Sequence, residues 1–147
     1  VDKDAVKQDW KDRSDDEFVD IDKDALDIAK RNKKFVEKML EKKISCEFLN
    51  MNVKDFDQKV SVIIQNPPFG VKQTHHDKLF LVKAMEMSTK IYSFHKLSTK
   101  IFIDKFVKDN GFKVKRVYKY SFPIKRKFWF HFKSVHNIEV GCWYIVK

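Results

Sequence analysis

One short stretch restricts the fold more than any other. Val60-Ser61-Val62-Ile63-Ile64-Gln65 is a dense β-branched run that passes directly into Asn66-Pro67-Pro68-Phe69-Gly70. β-Branched side chains favour the pleated sheet, whereas two consecutive prolines can continue neither a sheet ladder nor a helix. The pattern predicts a strand over residues 60–65 that stops in a turn at its C-terminal end.

The flanking chain alternates between periods of two and 3.6. Phe18-Val19-Asp20-Ile21 reads as a short strand, and Asp22 is placed to cap the helix after it, with Asp24 in the first turn. Ala25, Ala29, Val36 and Leu40 recur at helical spacing, which predicts a helix to about Lys42. A strand over 44–49, a loop at Asn50-Met51-Asn52, a helix over 77–87 and a strand over 90–94 follow. A helix over 98–110 then stops at Asn110-Gly111, and residues 113–122 and 138–146 alternate as two late strands, an antiparallel pair. Strands and helices at this spacing predict an α/β fold with a mostly parallel sheet. Residues 1–17 are polar and of mixed charge, and are expected to form an N-terminal arm ahead of a domain over 18–147.

The turn at Asn66 is where chemistry is expected, because ligands of open parallel sheets bind beyond the C-terminal strand ends. An amide or adenine amino nitrogen is a poor nucleophile, since its lone pair is delocalised into the neighbouring π system. An asparagine oxygen and a proline-turn carbonyl can accept its two N–H bonds, draw the nitrogen toward tetrahedral geometry and aim the lone pair at a methyl donor. Phe69 would offer a face on which a flipped base stacks. A proline turn with a purely structural role is the competing reading.

Three segments in order carry a family resemblance: Val19-Asp20-Ile21-Asp22, Ile63-Ile64-Gln65-Asn66-Pro67-Pro68-Phe69-Gly70, and Ile91-Tyr92-Ser93-Phe94-His95-Lys96. Together they resemble the Rossmann-like class I S-adenosylmethionine-dependent methyltransferases that act on amino nitrogens. Within these the chain is most similar to the methyltransferase-like protein 5 family and its archaeal relatives, which form N6-methyladenosine in small-subunit ribosomal RNA. The resemblance implies that Asp20 holds the ribose hydroxyls of S-adenosyl-L-methionine, with Asp22 as competitor. It implies that Asn52 and Val53 contact the donor's adenine, that Asn66, Pro67 and Pro68 form the catalytic turn, and that Phe69 stacks on the target base. It also implies a small zinc-binding activator subunit, for which residues 44–49 would be the exposed edge strand. The sequence has no glycine before Gly70. The family's first strand and glycine-rich loop thus have no counterpart in residues 1–17, and the domain is expected to be incomplete on its N-terminal side.

Charge points to the same class of partner. The chain carries 31 Lys and Arg against 21 Asp and Glu, and residues 88–147 alone hold 14 basic and 3 acidic side chains. Residues 113–133 contain eight basic and no acidic groups, interleaved with Tyr118, Tyr120, Phe122, Phe128, Trp129, Phe130 and Phe132. Cations pair with phosphates and exposed rings stack on unpaired bases. Alternation over 113–120 instead favours an inward aromatic face with solvated lysines outside. Lys125, Arg126 and Lys127, beside Pro123 in an expected loop, are the candidate RNA contacts.

Several classes drop out. No apolar run approaches the ~20 residues of a membrane span, and Val1-Asp2-Lys3-Asp4 has no signal-peptide core, so a cytoplasmic protein is expected, or a nuclear one in a eukaryote. Cys46 and Cys142 are too few for a disulfide framework. His75-His76-Asp77 is not a metal site by this reading, since adjacent histidines point apart and no further ligands are spaced to complete one. His95, His131 and His136 are expected to be structural or RNA-facing. The rivals to RNA adenine methylation are methylation of DNA adenine or protein glutamine, which the turn equally permits, and a catalytically silent RNA-binding module.

Overall fold

The computed structural model of the chain describes residues 16–68, 76–125 and 135–147. Residues 1–15 of the expected arm, Phe69, Arg126 and Lys127 lie outside the described residues, as do residues 70–75. The chain divides between Phe56 and Asp57 into two compact units.

In the first unit, strand β1 (Asp16–Asp20) leads into helix α1 (Lys23–Leu40), strand β2 (Cys46–Asn50) and a one-turn 3₁₀ helix, Val53–Asp55. Residues 16 and 17, placed by the sequence in the arm, already belong to β1. β1 and β2 run parallel, with Phe18 opposite Phe48 and Asp20 opposite Asn50. The two phenylalanine rings stack, 5.2 Å between centroids. The start of α1 is fixed by Asp22, whose carboxylate accepts the N–H groups of Asp24 at 2.9 Å and Ala25 at 3.3 Å. These are donors that the first turn of a helix otherwise leaves without partners. α1 ends at Leu40 because Glu41 turns left-handed, with φ 50°. Leu26 is buried, but Ile28, Phe35, Met39 and Leu40 on the same amphipathic helix are exposed.

In the second unit, β3 (Ile63–Gln65), helix α2 (His76–Met87) and β4 (Lys90–Lys96) are followed by a 3₁₀ turn, Leu97–Thr99. Helix α3 (Lys100–Asp109), β5 (Lys113–Lys125) and β6 (Val135–Val146) complete it. The sheet order is β3-β4-β6-β5. β3 lies parallel to β4, while β4–β6 and β5–β6 are antiparallel. Pairings among β1 to β4 are therefore parallel, and the late pair is antiparallel, as alternation predicts. Trp143, Ile145 and Ile91 of the sheet, Leu81 and Ala84 of α2, and Ile103 and Val107 of α3 form the core. Gly111, at φ 75°, stops α3 in the left-handed conformation that suits glycine, while the Asn110 amide donates to the Phe106 carbonyl at 2.8 Å.

Two expectations need correcting. The strand expected over 60–65 is only three residues long. The Val60 N–H goes to the Met87 carbonyl at 3.1 Å, and the Ser61 carbonyl accepts the Ser88 hydroxyl at 3.1 Å. This stretch is thus tied to the end of α2 rather than to a neighbouring strand. Pro123 and Lys125 are not in a loop: β5 continues through both, with Pro123 opposite Asn137. β5 is the outer strand of its sheet, where a proline's missing donor costs no ladder bond.

Candidate functional site

Asp20 occupies the C-terminal end of β1, where the strand opens into the turn before α1. Its Oδ1 accepts the N–H of Asp22 at 2.8 Å, and the residue is exposed. Its carbonyl receives the Met51 N–H at 3.1 Å and the Asn50 side-chain amide at 3.2 Å. The same Asn50 nitrogen donates to the Ile21 carbonyl at 3.0 Å. Asn50 thereby staples the ends of the two parallel strands and fixes the backbone on which the acid is carried. From sequence alone Asn50 reads as an unremarkable loop residue. The signal was its place level with Asp20, which only the β1–β2 register reveals. Asp22 takes two helix N–H bonds and is the cap of α1.

Asn52 opens the 3₁₀ turn, its Oδ1 accepting the Lys54 N–H at 3.0 Å while its carbonyl accepts that of Asp55 at 2.9 Å. A carbonyl oxygen has two lone pairs, so the Asn52 side-chain oxygen keeps one acceptor position beside its bond to Lys54. Asn52 and Val53 are half-buried. Within the first unit, then, an exposed carboxylate and a half-buried amide follow the C-terminal ends of two parallel strands. A nucleoside presents matching groups: vicinal hydroxyls for the carboxylate, and a base edge for the amide.

In the second unit Asn66 follows directly on the last paired residue of β3 and is exposed, Pro67 is buried and Pro68 exposed. Behind the turn, the Gln65 side-chain amide donates to Ser93 Oγ at 2.9 Å, which in turn lies 2.7 Å from His95 Nε2. Ser93 and His95 are fully buried, so His95 does not face solvent.

The basic and aromatic strand differs from its expected arrangement. Val117 packs on the core, but Tyr118, Tyr120 and Phe122 point to the opposite face, and they are 38%, 43% and 50% exposed. Tyr118 and Tyr120, the rings in the alternating stretch expected to face inward, are therefore both open to solvent. The guanidinium of Arg116 lies 5.4 Å from the Tyr118 ring centroid, and Lys113, Lys115 and Lys119 are exposed along the same strand. Nearby, Tyr92 and Tyr144 stack almost parallel at 4.7 Å. Desolvation, and then the neighbouring phenols of Tyr144 and Tyr118, push the Tyr92 hydroxyl above the usual range. Burial likewise raises the Cys142 thiol.

Among the described residues, no group of three or more His, Cys, Asp or Glu is placed to hold a metal ion. No described helix is long and apolar enough to cross a membrane.

No protein-family model matches the chain. It is 38% identical over 141 residues to an uncharacterised protein of Methanocaldococcus jannaschii, covering 88% of this chain and 62% of that one. Over 123 residues it is 32% identical to the rRNA N(6)-adenosine-methyltransferase METTL5 of Danio rerio, covering 82% of this chain and 59% of that protein. Among solved structures, a crystal structure described as a candidate RNA methyltransferase from Pyrococcus horikoshii is similar with a TM-score of 0.75 at 31% identity. That similarity covers 90% of this chain and 63% of the other. The chain spans about three fifths of the length of the curated relatives it matches.

Proposed function

We propose that this chain, whose fold is the Rossmann-like α/β fold of the class I methyltransferases, forms N6-methyladenosine in RNA, with small-subunit ribosomal RNA as substrate. The observation that carries the reading is the Asn66-Pro67-Pro68 turn at the C-terminal end of β3, the strand lying parallel to β4. Similarity to relatives named for RNA methylation, one of them an rRNA N6-adenosine methyltransferase, supports it.

S-adenosyl-L-methionine would supply the methyl group, and the residues present fit it on one side. Asp20 would hold the ribose hydroxyls, on a backbone fixed by Asn50, while Asn52 and Val53 would hold the adenine. The chain's own chemistry then rests on the turn. The Asn66 oxygen and the Pro67 carbonyl accept the two N–H bonds of the target amine. The nitrogen would become more tetrahedral, and its lone pair, freed from the ring, would take the methyl group as the donor's sulfur–methyl bond breaks and S-adenosyl-L-homocysteine leaves. Once methylated, the nitrogen is strongly acidic and its proton passes to water, so no strong base is required. Phe69 would stack on the extruded base. Lys125, Arg126 and Lys127 would pair with phosphates, and the exposed Tyr118, Tyr120 and Phe122 would meet unpaired bases. A small zinc-binding activator subunit would cover the open edge of β2.

Calorimetry tests the donor site directly. Asp20→Ala should weaken S-adenosyl-L-methionine binding at least tenfold, the loss expected for a charged hydrogen bond to hydroxyls of ~1.5–3 kcal/mol. If the wild-type protein binds no donor at all, the catalytically silent RNA-binding module is the better account.

A further inference from the structure

Three polar side chains cross an otherwise apolar layer behind the Asn66 turn. Ser93 and His95 lie on the core face of β4 beside Ile91, with Ser93 opposite Trp143 and His95 opposite Gly141 of β6, and Ser93, His95, Ile91 and Trp143 are fully buried. Polar groups in such a layer are costly unless hydrogen-bonded, and valine or leucine would fill the space more cheaply. Here they are connected in series. Gln65 Nε2 donates to Ser93 Oγ at 2.9 Å, and Ser93 Oγ is 2.7 Å from His95 Nε2. The His95 ring meets the edge of Trp143 at 5.6 Å and 81°, and the Trp143 indole N–H donates to Asp104 at 2.9 Å. The series therefore runs from the last residue of β3, through β4 and β6, to helix α3.

Gln65 is the last paired residue of β3 and stands opposite Ser93. Successive side chains of a strand point to opposite faces. Holding the Gln65 side chain against Ser93 on the core face thus turns the next residue, Asn66, away from the core. It also fixes the backbone from which the proline turn departs. Two residues further along β4, His95 anchors the hydroxyl that Gln65 grips.

We propose that Gln65, Ser93 and His95 are positioning residues for Asn66, acting on the rate of methyl transfer rather than on ligand affinity. The proposal rests on the methyltransferase reading of the Asn66 turn. Reacting groups displaced by about 1 Å can lose ~10²-fold in rate, so loosening the turn should be visible in kcat.

The test compares Gln65→Met, which keeps shape and loses the N–H donor, with Ser93→Ala, and with the double variant. Each single change should lower kcat by ~10–100-fold. RNA KM and donor Kd should stay within about twofold. The double variant should be no worse than the weaker single, because both cut the same series. His95→Gln, which can place an amide near the Nε2 position, should keep most of the rate that His95→Leu loses. An unchanged kcat in Gln65→Met, or rate losses that merely follow falling melting temperature and ligand affinity, would overturn the proposal. A measurement independent of turnover reads the Asn66 side-chain amide by NMR in wild-type and Gln65→Met protein. The proposal requires that signal to shift or broaden, and an unmoved signal overturns it. A moved signal in a protein that transfers no methyl group would leave the positioning intact and remove the methyltransferase reading instead.

Discussion

Asn66 contributes one amide to the proposed reaction, and its value lies in timing. Its oxygen accepts more strongly as the target nitrogen becomes tetrahedral, so the contact stabilises the transition state more than bound substrate. Asn66→Ala should therefore lower kcat by ~10²–10³, the ~3–4 kcal/mol seen when one such acceptor or donor is removed. Donor affinity should hardly change, because that ligand is assigned to Asp20 and Asn52. Labelled-methyl transfer read beside donor calorimetry checks both halves, and near-normal turnover would reduce the turn to a structural stop. At this scale the sequence was informative where a residue's role is local. Asp22 as a helix cap follows from its neighbours in the chain and is what the structure contains. Asn50 was illegible for the opposite reason: its partners, the carbonyls of Asp20 and Ile21, lie 30 and 29 residues away in sequence and become neighbours only through strand pairing.

Elements follow the same division. Helix α1, the stop at Asn110-Gly111 and the antiparallel β5–β6 pair were legible because periodicity and capping are written along a single segment. The length of β3 was not, because it depends on where β4 offers partners and on the hydrogen bonds that Val60 and Ser61 make with the end of α2. Pro123 reads as a loop residue until β5 is known to be an outer strand, where its missing N–H is harmless. Among the described residues β2 pairs only with β1, so one side of it presents unpaired backbone groups. If a small zinc-binding activator subunit covers that side, coexpression should give a 1:1 complex by size-exclusion chromatography with light scattering, and the protein alone should associate. A stable monomer at high concentration with no affinity for such a subunit would count against this edge.

Across the whole molecule the decisive quantity is charge, +10 in total, with 14 basic against 3 acidic groups after residue 87. Composition points to a polyanionic partner but not to the face that would meet it. Which side of β5 is covered depends on where Val117 meets the core, and the structure leaves Tyr118, Tyr120 and Phe122 open beside Arg116. Replacing Lys125, Arg126 and Lys127 together with alanine should weaken RNA binding and flatten its salt dependence by about 2 units of log–log slope, at ~0.7 per phosphate contact on a single strand. An unchanged slope would return these three residues to the solvated surface. The central claim is that fold, turn and charge serve one reaction, and it is tested most directly by supplying isotope-labelled S-adenosyl-L-methionine to the protein with three acceptors in parallel. These are small-subunit ribosomal RNA, adenine-containing DNA and glutamine-containing protein, with the activator subunit present and absent. The account predicts label in the RNA alone, recovered after digestion as N6-methyladenosine; label in DNA or protein instead, or in none of the three despite measurable donor binding, would contradict it.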